Sequence, residues 1–158
     1  MVIVPIPKPP ELENLLGTLM GRPVKVSRMD GHPVAAEPVI TGTFTSDEPV
    51  LQVLVRVELP LAASLAAALS VVPLEEVRDA VASGQLGESL QDNFGEVMNV
   101  LSRYLSMGGR PFRLGSQSYP PAKADPALQP LVDVADEKRT FLVEVSGYLA
   151  GKLELVTL

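Results

Sequence analysis

The chain has 158 residues, with no Cys, no Trp, one His and a formal net charge of -6. This excludes disulfide frameworks, Cys-based zinc sites and thiol nucleophiles, and it denies phosphate-backbone binding its usual electrostatic footprint. A hydrophobic fraction of 46% against 20% charged residues is that of a foldable globular domain.

Residues 1–10, MVIVPIPKPP, form a Pro-rich lead whose apolar stretch is too short and too broken for a signal peptide. Residues 11–158 read as a single domain. Leu12, Leu15, Leu16 and Leu19 are spaced as on one helix face over 11–20, and Gly21 is a stop. Residues 23–28 alternate as a strand, and Asp30-Gly31 signals a turn. Residues 39–45 and 50–57 are β-rich and read as a hairpin around Ser46-Asp47-Glu48-Pro49. The small-residue run 61–70 suits a closely packed buried helix. The uncharged stretch around it, 59–74, holds two prolines and is shorter than the ~20 residues that span a bilayer, so no membrane insertion is expected.

Residues 74–83 form an amphipathic helix with acidic residues in its first turn, ended by Ser83-Gly84. The strongest element is the helix over 89–106, stopped by Gly108-Gly109. Residues 111–117 follow as a strand and 119–130 as a Pro-rich loop. Residues 140–145, a turn at Gly147 and residues 148–158 close the chain as two strands. Mixed helices and antiparallel hairpins predict an α+β fold.

At about 100° per residue, Leu90, Phe94, Val97, Leu101, Tyr104 and Leu105 form one apolar stripe of the 89–106 helix. Asp92, Glu96, Asn99 and Arg103 form a second stripe roughly opposite, which puts Glu96 and Asn99 side by side on the outer face. A charged outer face is the default for an amphipathic helix. Two details sit awkwardly with that default. Asp92 and Glu96 are like charges at i, i+4, and Asn99 is a mediocre helix former in mid-helix.

The pattern Asp92-x3-Glu96-x2-Asn99, on a long helix followed by glycines and a strand, resembles the signature of the CheC/CheX/FliY chemotaxis phosphatases. That signature ends on a Pro about 22 residues later; here 21 residues separate Asn99 from Pro121. A single motif copy in a chain of this length is most similar to CheX. The resemblance implies an antiparallel-rich sheet packed with long helices. It implies a phosphatase that inserts the Glu96/Asn99 helix into the active site of a phosphorylated CheY-type response regulator. Asn99 would orient the attacking water, Glu96 would pair with a regulator lysine, and Asp92 would be a supporting position. The aspartyl phosphate and its Mg²⁺ would belong to the regulator, so no cofactor or metal of the chain's own is expected. A symmetric homodimer and a cytoplasmic location are further expectations, the latter compatible with the absence of Cys. One position departs from the family. Arg103 stands where a Gly is frequent, on the docking face, and it brings in a second reading: a catalytically inactive adaptor that binds a response regulator or a flagellar or chemotaxis component.

The remaining candidates point elsewhere less well. His32 sits in the turn Asp30-Gly31-His32-Pro33 and lacks triad partners in sequence. Segment 75–96 sets six carboxylates against a single arginine, the pattern of a solvated acidic face. Asp92 and Glu96 together would leave most of a Ca²⁺ or Mg²⁺ coordination shell unfilled. Gly108-Gly109-Arg110 is not a phosphate-cradling loop.

Overall fold

Alternating apolar residues make six β-strands, and the order in which they pair decides where the helices sit. The computed structural model describes residues 6–34, 37–47, 50–107, 109–135 and 137–158. The strands are β1 (Val24–Arg28), β2 (Val39–Ser46), β3 (Leu51–Glu58), β4 (Arg113–Ser118), β5 (Glu137–Val145) and β6 (Gly151–Thr157). They form one sheet in the order β1-β5-β6-β3-β2-β4, antiparallel at every pairing. The expected hairpins are present as β2–β3 and β5–β6. Glu48 and Pro49 of the first hairpin's turn, and Gly108 of the helix stop, lie outside the described residues, as do residues 1–5 of the lead.

One face of the sheet carries Ile40, Phe44, Val53, Val55, Val57, Phe141, Val143, Leu153 and Leu155 into the main core. The helices α1 (Pro9–Met20), α2 (Leu59–Leu69), α3 (Leu74–Ser83) and α4 (Glu88–Ser106) pack on that side. α1 starts at Pro9, two residues before the expected start at residue 11, because Pro is tolerated in a first turn where N–H groups have no intrahelical partner. α2 is the hub. Leu59 and every residue from Leu61 to Ala68 are buried, and its alanines let the sheet and α4 approach closely.

α2 ends in a Schellman motif. The Val72 N–H donates to Ala67 O at 2.8 Å and the Val71 N–H to Ala68 O at 3.4 Å. The left-handed position of this motif normally takes Gly, yet here it is Val71, at φ 56° and 74% exposed. A β-branched side chain there is strained and gains little packing in return. Val71→Gly is therefore expected to stabilise the protein by about 0.5–1 kcal/mol, after the entropy cost of Gly. Thermal unfolding should show Tm raised by about 2–4 °C, and an unchanged or lower Tm would contradict the strain.

The opposite face of the sheet is covered near Leu54 and Val156 by α5 (Leu128–Asp133). The sequence reading leaves this segment as loop up to Pro130. The helix has six residues and a Pro in its first turn, too little to show a period. It forms because Val132 is buried against Leu54 and Val156, with Leu128 one turn earlier packed on the same cluster. Tertiary contact supplies what local propensity lacks.

Candidate functional site

The candidate site is the outer face of α4, and its placement starts from the inner face. Leu90, Phe94, Val97, Met98, Leu101 and Leu105 are buried, which is the predicted stripe with Met98 added and Tyr104 only half-buried. Met98 fits because β2 has Gly42 beneath it: a Cβ on that residue would lie 2.4 Å from Met98 Cε. Polar contacts then fix the helix along its axis. Asn93 Nδ2 donates to Ala66 O at 3.1 Å and to Ser70 Oγ at 2.9 Å, closing the C-terminal end of α2. At the far end Ser106 Oγ donates to Ser102 O at 2.8 Å and accepts from the Phe112 N–H at 2.9 Å, joining α4 to the approach to β4.

Tyr104 ties α4 to α1. Its hydroxyl donates to Glu11 Oε2 at 2.6 Å. Burial, and then the adjacent carboxylate, push the phenol up to about 12. The same hydrogen bond, with the Lys8 backbone N–H, holds Glu11 below the usual carboxylate range. Tyr104 is thus partly inward, as the stripe predicts, but its polar tip is spent on a structural tie.

Asp92, Glu96, Asn99 and Arg103 are all exposed, so the structure brings the predicted outer stripe together. Arg103 Nη2 donates to Glu96 Oε1 at 3.2 Å. This pair spans seven residues, and Asn99 lies between its two ends on the same face. The Asn99 side-chain amide has no hydrogen bond to another described residue. Its backbone carbonyl accepts from Ser102 Oγ at 2.7 Å. Asp92 stands near the start of the loop after β4. Burial raises the Tyr119 phenol, and the Asp92 charge raises it further. The Tyr119 ring meets Phe94 edge-on at 6.4 Å between centroids. The loop that carries Pro121 therefore leaves β4 beside the N-terminal half of the motif helix.

A carboxylate and a free amide on a convex helix face can position a water or pair with a cation, but they cannot enclose a substrate. Such a face does chemistry only when another surface closes over it. The other sequence candidates stay apart. His32 is exposed in its turn, where its N–H bonds Met29 O at 3.0 Å. Glu75, Glu76, Asp79 and Glu88 are exposed on α3 and at the start of α4, and no metal-holding cluster occurs among the described residues. Among the described residues, no helix is long and apolar enough to cross a membrane. Sequence reading missed Asn93 and the reach of Arg103 to Glu96. An i, i+7 ion pair gives no periodic signal beyond the stripe itself.

By sequence, neither a family model nor a curated protein matches the chain. By structure, it is similar to the FliM middle domain from H. pylori, at TM-score 0.63 and 7% identity, covering 94% of this chain and 83% of that one. The FliM middle domain from Vibrio alginolyticus aligns at 0.57 and 11% identity, over 92% and 85%. The chemotaxis protein CheX from Vibrio vulnificus aligns at 0.54 and 15% identity, over 93% and 91%. The fold is that of CheX, as the motif resemblance implies, and the FliM middle domain shares it.

Proposed function

We propose that the protein is a CheX-like phosphatase that removes the aspartyl phosphate of a CheY-type response regulator. The observation that carries this reading is the exposed Asp92–Glu96–Asn99 stripe on a helix rigidly seated in a CheX/FliM fold. The regulator supplies the acyl phosphate and its Mg²⁺. Asn99, whose amide can donate and accept without changing protonation state, holds the water in line with the phosphorus. Glu96 anchors the complex on a regulator cation. Positioning and electrostatics suffice for such a hydrolysis, so the chain needs no nucleophile of its own.

The Glu96–Arg103 pair favours a second reading, a binding adaptor without catalysis. Docking through Glu96 must first release Arg103. Both side chains are largely exposed, so the pair is worth roughly 0–1 kcal/mol and weakens further with salt. It is a weak latch, not a block.

One assay separates the two. A CheY-type regulator is phosphorylated with a small-molecule phosphodonor, and loss of the phosphoryl group is followed with and without the protein. The phosphatase reading expects acceleration, increased up to about fivefold by Arg103→Gly at sub-saturating regulator, since a latch of that strength is removed. Binding with no acceleration in either form would leave the adaptor. Neither binding nor acceleration, across regulators from the host, would sink both.

A further inference from the structure

The face of the sheet turned away from α2 carries a row of polar residues in register, one on each of five strands. Thr140 on β5 pairs with Glu154 on β6, Glu154 with Arg56 on β3, Arg56 with Thr41 on β2, and Thr41 with Ser118 on β4. Glu154 is 3% exposed, and a single oxygen of its carboxylate accepts from both Nε and Nη2 of Arg56. The remaining N–H groups of the guanidinium have no acceptor among the described residues. Next in the row, Thr41 is 3% exposed, and among the described residues neither its hydroxyl nor that of Ser118 beyond it has a hydrogen-bond partner. Folded proteins pair nearly all such groups, and a buried hydroxyl left alone costs stability. The guanidinium and the buried Thr41 hydroxyl beside it offer N–H and O–H donors that no described residue takes up.

A cleft of about 560 Å³ opens against this row, within the size range of small-molecule sites. Arg56 and Thr41 line it on the sheet side. Pro38, Val39, Pro120 and Pro121 give it apolar walls, and Lys123 stands at the rim, 3.1 Å from Glu37.

We propose that this cleft binds a small carboxylic acid with an apolar body. The carboxylate accepts from Arg56 and Thr41, and the hydrocarbon lies against the proline walls. The ligand would give the Thr41 hydroxyl the acceptor it lacks among the described residues. The charge balance selects a monoanion. Glu154 already neutralises Arg56 and Glu37 already neutralises Lys123, so a phosphate dianion would meet two fixed carboxylates and little net positive field. The spare N–H groups of Arg56 fit one planar carboxylate. The proposal is independent of the phosphatase reading, because it uses none of Asp92, Glu96, Asn99 or Arg103.

The test titrates the full chain with benzoate and hexanoate, with benzamide and hexanamide as neutral matches and inorganic phosphate as the dianion arm. Backbone amide shifts are followed by NMR. The carboxylates should shift Thr41, Arg56, Ala122 and Lys123 saturably, with the amides at least about tenfold weaker, the worth of one charge-assisted hydrogen bond. Thr41→Val keeps the shape and deletes the hydroxyl. It should weaken benzoate about tenfold and raise the Tm of the free protein by roughly 2–4 °C. Lys123→Ala, on the exposed rim, should weaken benzoate about threefold and gives an independent reading should the buried variant fold poorly. Equal shifts with acids and amides would overturn the proposal, as would shifts with phosphate alone or none with either acid. A Thr41→Val protein of unchanged benzoate affinity, or of lowered Tm, would show instead that water already satisfies the hydroxyl.

Discussion

Asn99→Ala is expected to reduce the acceleration of regulator dephosphorylation on the order of 100-fold, while leaving complex formation within about twofold. The first figure is the usual cost of removing one preorganised polar group from a transition state, and the second follows if the amide acts only there. The structure makes the substitution clean. The Asn99 side chain is exposed and bonds no other described residue, and Ala is the better helix former, so the fold should not suffer. Glu96→Lys should behave differently. It reverses the anchoring charge, so affinity should fall at least about tenfold while the rate at saturating regulator changes less. The split between kcat and KM therefore assigns the two roles. An Asn99→Ala protein as fast as wild type, under conditions where wild type accelerates the reaction, would remove the amide from the chemistry.

The reason the site was legible in sequence, and parts of its setting were not, lies in the range of the interactions. α4 has nineteen residues and a strong two-sided pattern, so periodicity alone separates Phe94 and Val97 from Glu96 and Asn99. Strand pairs joined by short turns are equally local, which is why β2–β3 and β5–β6 could be read directly. What failed to show depends on partners distant in sequence. Asn93 is an unremarkable polar residue until Ala66 and Ser70 are brought under it. α5 is helical because of Leu54 and Val156, which precede and follow it by more than twenty residues. Arg103 was visible as an oddity, but its bond across Asn99 needs side-chain positions, not spacing. The unpaired hydroxyl of Thr41 is the extreme case. On its strand it looks like any β-branched residue, and only the cross-strand register sets it between Arg56 and Ser118.

Gly151→Ala is expected to destabilise the fold by about 2–3 kcal/mol, in the upper part of the range for an overpacked core, and to lower Tm by roughly 5–10 °C. A Cβ on Gly151 would lie 2.8 Å from Leu61 Cβ, 3.2 Å from Leu61 N and 3.4 Å from Leu61 Cα. None of these atoms can rotate away, so β6 or the first turn of α2 must move. Both are tied down there. Ser64 Oγ donates to Pro60 O and accepts from the Leu149 N–H at 3.0 Å, and Glu58 Oε1 accepts from the Lys152 N–H at 2.7 Å. Gly42→Ala is the informative comparison. Its nominal clash is shorter, 2.4 Å, but the atom met is Met98 Cε, the free end of a flexible side chain. It should cost less than half as much stability. The cost should instead appear in function, because Met98 precedes Asn99 and seats the motif helix on β2. Differential scanning calorimetry of the two variants, beside the dephosphorylation assay, tests both halves. A larger Tm loss for Gly42→Ala than for Gly151→Ala would mean that Met98 is held rigidly and that the close approach of α2 to β6 is more forgiving than its geometry implies.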